Sequence, residues 1–191
     1  MKIKEFGTGY SSVNAEELYV GIDQSYSGFA ITILDENGGY ETTVARFDTR
    51  GVERLQEIHD HVTSTIYRAA DNGNVVATAM EGYAFGSQMA NTLGELGGVV
   101  KLAIYNTYRL YGNAKFPLIV PPTSLKKYVT GKGQGVSKSE IMLQVYKKWG
   151  AEFSDDNAAD SFAIAKIVSG SHSLQYEKDV YDKLHAIPKE T

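Results

Sequence analysis

Two runs of β-branched and aromatic residues, 18–22 (LYVGI) and 28–34 (GFAITIL), are separated by only the five residues DQSYS, and this constrains the chain more than any other feature. A link that short leaves no room for a crossover, so the runs pair as antiparallel neighbours. DENGG then offers a tight turn into a third run, 40–47, which makes a three-stranded meander. From Val52 the apolar residues Val52, Leu55, Ile58, Val62, Ile66 and Ala69 recur at steps of three and four, predicting an amphipathic helix that DNGN stops at 71–74. VVATAM at 75–80 is a continuous apolar run suited to a parallel interior strand.

The remainder alternates in the same way. SQMANTLGELGGVVKLAIYNTYRL reads as a long helix with Gly94, Gly97 and Gly98 at close steps, and PLIV at 117–120 as a short strand closed by two prolines. TSLKKYVTGKGQG gives a short helix and a glycine loop. Ser137 and Glu140 form a capping box for a helix reaching about Trp149, and a last helix runs from SDDNAAD to near Gly170. The expected fold is α/β: an antiparallel three-strand meander extended by parallel strands into a mixed sheet, with helices packed on it. At 191 residues one core is expected, over 18–170. Residues 1–17 read as a flexible leader and 171–191 as a polar C-terminal tail.

Asp23 and Glu81 both follow strands that read as interior, and the open ends of such strands are where α/β proteins build sites. Turns also favour Asp for conformational reasons alone. The last helix adds a third acid, because Asp160 lies three and four residues before Ala163 and Ile164, on the stripe completed by Ile167 and Val168. Asp156 is one turn further back. The helix macrodipole and N-capping account for Asp155 and Asp156, with Ser154 or Asp155 as the cap, but not for an acid past the first turn on the inward face. Burying it is costly unless it is paired, protonated or bound to a cation. Two strand-end carboxylates joined by one or two from a facing helix form an oxygen cage suited to Mg²⁺ or Mn²⁺. Two such ions, about 4 Å apart, activate water and stabilise the leaving oxygen in phosphodiester cleavage, with no nucleophilic side chain needed.

Composition narrows the chemistry. Cysteine is absent and the four histidines lack metal-site spacing, so any metal is held by oxygen. No apolar run has membrane-spanning length and no signal-like segment opens the chain, so a soluble, cytoplasmic protein with no membrane association is expected. Between residues 123 and 149 six lysines (126, 127, 132, 138, 147 and 148) face one acid, Glu140. That local charge of +5 sits in a chain whose net charge is −4, leaving −9 for the rest. The lysines flank GKGQG beside a helix N-terminus, where phosphates can approach closely. Lys126, Lys127, Lys132 and Lys138 are therefore candidate DNA contacts, against the plain alternative of a solvated lysine face. Tyr83 and Phe85, after Glu81, are candidates to stack on or wedge between bases, or are ordinary core.

VGIDQSYSGFAI, AMEGYAFG, LKKYVTGKGQGVSKSE and DDNAADSFAIA, in that order over roughly residues 18–170, resemble the RuvC-type Holliday junction resolvases of the RNase H-like superfamily, particularly phage-borne members. The resemblance implies a homodimeric, Mg²⁺-dependent endonuclease (Mn²⁺ being the other candidate ion) that nicks opposing strands of four-way DNA junctions in the cytoplasm of a bacterial host. It makes Asp23, Glu81 and Asp160 catalytic metal ligands and matches Lys126 and Lys138 to the family's DNA-contacting lysines. The family places its fourth ligand three residues before the last Asp, where this chain has Asn157; Asp156 is the expected fourth ligand, with Asn157 and Asp155 as alternatives. The displaced aromatic leaves either Tyr83 or Phe85 to open the junction. By resemblance, the helix carrying Gly94, Gly97 and Gly98 is a dimer face, although those glycines would equally serve packing on the sheet. Three other readings compete: a broader flap or fork endonuclease, a non-catalytic junction-binding protein of the same fold, and a nucleotide-binding protein of the actin and sugar-kinase type. The last needs a second lobe for which the chain has no room.

Overall fold

The computed structural model describes residues 1–7, 16–83, 90–112 and 116–186. The three runs that open the reading form β2 (Glu17–Asp23), β3 (Phe29–Asp35) and β4 (Tyr40–Arg46), each antiparallel to the next. Helix α1 (Gly51–Asn72) returns the chain to β5 (Asn74–Glu81), which lies parallel to β2, and α2 (Ala90–Leu110) leads to β6 (Leu118–Val120), parallel to β5. Helices α3 (Pro122–Thr130), α4 (Lys138–Trp149), α5 (Asp156–Val168) and α6 (Gln175–Ala186) complete the described chain. With β1 (Lys2–Gly7) antiparallel to β4, the sheet has six strands in the order β1-β4-β3-β2-β5-β6. This is the mixed α/β sheet expected from the runs.

The sheet separates two cores. On one face α1 and α2 bury Ile58, Val62, Ile66, Leu96, Val100 and Ile104 against Val20, Ile22, Ile31 and Ile33. On the other, α5 lies along the sheet beneath α3, α4 and α6. Its seat is set by Gly21: a Cβ there would stand 2.2 Å from the Ser161 carbonyl oxygen and 2.4 Å from the Ala165 nitrogen. Only glycine lets two backbones approach this closely. A buried hydroxyl set fixes the same seat, with Thr32 Oγ1 2.7 Å from Thr42 Oγ1 and 2.8 Å from Ser161 Oγ. Helix α5 is therefore buried nearly all round, including Ala158, Phe162 and Ala165, rather than along the single inward stripe that its spacing suggests. It has sheet on one side and three helices on the other, so periodicity could not reveal its orientation.

Two segments depart from the sequence reading. Residues 2–7, read as part of a flexible leader, form the edge strand β1; its pairing rests on backbone hydrogen bonds to β4, and only Phe6 packs inward, against Phe153. Edge pairing of this kind leaves almost no hydrophobic signal. The segment read as a polar tail contains α6, whose Val180 and Leu184 join the core and whose buried Glu177 bonds Lys148 at 2.5 Å. Ser137 caps α4 as expected, the Glu140 N–H donating to Ser137 Oγ at 3.2 Å. Among the described residues no helix is long and apolar enough to cross a membrane.

Candidate active site

Strands β2 and β5 run parallel with Ile22 opposite Met80, so the next residues, Asp23 and Glu81, emerge side by side at the carboxyl edge of the sheet. Gly21 faces α5, and two-residue alternation turns Asp23 to the same side. Asp160 comes from α5 itself, one residue before the Ser161 carbonyl that abuts Gly21. The contact that seats the helix thus delivers its acid to the strand ends. All three acids line one cleft of about 530 Å³.

Asp23 is only 4% exposed and shares a hydrogen bond with Glu81. Burial, then the charges of Glu81 and Asp160, hold the Asp23 carboxyl well above the usual carboxylate range. Burial also raises Glu81, against the bond from Asp23 and the nearby Lys126 and Lys138, which favour its ionised form. Asp160 is pushed up to about 7 by burial and by Glu81 and Asp156, again opposed by Lys138 and Lys126. Its Oδ1 is buried and has no hydrogen-bond partner.

Three clustered carboxyls, each disfavoured as an anion, with an orphaned oxygen among them, match the donor chemistry of a hard divalent cation. Asp23, Glu81 and Asp160 are the residues that could hold one. Among the described residues no three acidic or histidine side chains converge closely enough to hold an ion as they stand.

The acids at the start of α5 are divided. Asp155 is its N-cap, accepting from the Asn157 N–H at 3.1 Å and from Arg46 Nη2 at 2.7 Å. Burial would raise its carboxyl, but these bonds outweigh burial and hold it below the usual range. Asp156 is ion-paired to Lys138, a bond that raises the Lys138 ammonium. Asn157, not Asp156, lines the cleft.

The lysine-rich segment is divided as well. Lys126 on α3 and Lys138 at the start of α4 line the cleft, while Lys127 and Lys132 are exposed and outside its lining. Lys148 is withdrawn, bonded to Glu177 and to the Tyr128 carbonyl and packed over the Trp149 and Tyr176 rings. Tyr83 is 40% exposed and lies near Gly97 of α2; Phe85 lies outside the described residues. A Cβ at Gly94 or Gly98 would meet nothing within 4 Å, so neither glycine is packed on the sheet. Gln24 escaped the sequence reading altogether. It is 6% exposed, and its Nε2 donates to the Glu81 carbonyl at 2.6 Å. A polar residue after a strand-end acid carries no periodic signal, and only the neighbouring strand gives it meaning.

No family model matches the chain, and none of the curated proteins does. Among solved structures it is similar to RuvC of Thermus thermophilus, with a TM-score of 0.62 and 20% identity over 88% of this chain and 96% of that one. The same protein in complex with a Holliday junction substrate matches with a TM-score of 0.61 and 18% identity over the same shares. At these identities the likeness is one of fold, and the fold of this chain is RuvC-like.

Proposed function

We propose that this chain is a divalent-metal-dependent DNA endonuclease that resolves four-way junctions by nicking opposing strands, working as a homodimer so that each strand meets its own site. One observation carries the reading: Asp23, Glu81 and Asp160 are brought into one cleft beside Lys126 and Lys138, putting acids that suit a cation next to bases that suit phosphate. The likeness to a protein solved with a Holliday junction supports branched DNA as the substrate.

Asp23, Glu81 and Asp160 would hold Mg²⁺ or Mn²⁺, which when bound supplies an activated water and charge neutralisation at the leaving oxygen. The side chains must first surrender their protons, and Asp160, raised to about 7, gives its proton up near neutrality. Asp156 acts through its field on Asp23 and Asp160. Lys126 and Lys138 attract the phosphate, Lys127 and Lys132 extend the positive surface, and Tyr83, exposed two residues after Glu81, is the aromatic that would meet a base.

The test incubates the protein with an immobile four-way junction, a forked duplex and a linear duplex, with and without Mg²⁺ or Mn²⁺, and maps the nicks. Paired symmetric nicks confined to the junction, dependent on the ion and lost in Asp23→Asn with binding retained, are expected. Equal cutting of forks would make it a general branch nuclease, and binding without any cutting would make it a junction-binding protein.

A further inference from the structure

Strand β2 stops pairing with β5 after Ile22 and Met80, at the point where the chain must part to open the cleft. The Glu81 carbonyl, one step beyond, is reached by no further β2 ladder pair. The side chain of Gln24 takes that place, its Nε2 donating to the Glu81 oxygen at 2.6 Å. One strand end is thereby tied to the other by a side chain where the backbones no longer can be.

The tie has a single possible sense. Gln24 Oε1 is buried without a hydrogen-bond partner, so only the donor end of the amide is anchored. Turning the amide over would set two oxygens face to face. Space for it comes from α2, where a Cβ on Gly97 would stand 3.3 Å from Oε1 and 3.8 Å from Nε2. A larger residue at 97 would press on the amide, and a residue at 24 without a donor would leave a buried carbonyl unpaired. Gln24 immediately follows Asp23 and holds the main chain of Glu81, so it bears on the spacing of both strand-end carboxyls at once.

We infer that Gln24, with the room Gly97 gives it, is a positioning residue that sets how the Asp23 and Glu81 carboxylates are spaced, and thereby how strictly the cleft selects a small, octahedral divalent ion. The inference rests on the metal-dependent reading of the cleft. Mg²⁺ demands near-ideal geometry at about 2.0–2.1 Å, whereas Ca²⁺ accepts longer and more flexible coordination. Loosening the spacing should therefore weaken Mg²⁺ far more than Ca²⁺.

Calorimetric titration of the full chain with MgCl₂ and with CaCl₂, without DNA, tests this in Gln24→Met, which keeps length and loses the donor, and in Gly97→Ala, which keeps the donor and crowds it. Thermal unfolding in EDTA verifies that both variants are folded. For Gln24→Met a loss of about tenfold or more in Mg²⁺ affinity is expected, with Ca²⁺ affinity changed less than about threefold, equivalent to some 1.4 against under 0.7 kcal/mol. Gly97→Ala should shift the same ratio in the same direction by less. Parallel loss for both ions, or no change for either, would overturn the inference while leaving the metal site standing. Absence of divalent-ion binding by the unaltered protein would overturn the metal reading itself, and this inference with it.

Discussion

Two buried polar clusters lie between the sheet and α5, reached from adjacent residues of that helix, and they differ in every other respect. Ser161 joins Thr32 and Thr42 in a set of hydroxyls in which each finds a partner, Ser161 also donating to the Ala158 carbonyl at 3.0 Å. Asp160 joins Asp23 and Glu81, where an oxygen is orphaned and all three carboxyls are pushed toward their protonated forms. A satisfied buried network rigidifies a fold, and an unsatisfied one costs stability. The contrast separates a seat for the helix from a site for chemistry, one residue apart.

The acidic cluster should break most completely. Asp160→Asn is expected to lower junction cutting by at least about a thousandfold, because it removes a carboxylate that would hold the ion, while making the metal-free protein more stable. In the folded protein Asp160 keeps its proton up to about 7, whereas in the unfolded chain it has an ordinary carboxylate value. The folded state therefore holds a proton that the unfolded state has released between about pH 4 and 7, so stability without metal falls as pH rises through that window. The variant removes that slope, and thermal melts in EDTA at pH 8 should show a gain of roughly 5–10 °C.

Breaking the hydroxyl cluster should do the converse. Thr32→Val strips Thr42 of its partner inside the core and is expected to cost about 1–3 kcal/mol in urea unfolding, with cutting at a permissive temperature retained. Loss of activity in the folded variant would show that the two clusters are not separable.

The smallest effect sharpens the same division among the lysines. Lys132→Ala should leave stability unchanged and reduce the slope of log binding constant against log salt by about one. Lys148→Met should leave that slope unchanged and weaken the docking of α6, because Lys148 is already engaged by Glu177.

Much of this was legible in the residues. The meander, the parallel strands and the closing helix followed from period and turn chemistry, and Asp23 and Glu81 stood out as acids closing interior strands, Asp160 as an acid on a stripe of apolar residues. What was not legible depended on partners distant in sequence. Strand β1 is held by backbone bonds to β4, α6 by one ion pair and a few apolar contacts, and Gln24 by the carbonyl of Glu81. Lys148 looked like its neighbours along the chain, and only tertiary packing shows it turned inward.

The contact of Gly21 with Ser161 and Ala165 joins positions 140 and 144 residues apart. It therefore also governs timing. During synthesis Asp23 and Glu81 emerge long before the helix that carries Asp160, and contacts this distant form only once the intervening chain exists. A polypeptide interrupted before α5 has no way to assemble the three acids, so the cluster is completed only late in synthesis, after the strands that carry its first two members have already emerged.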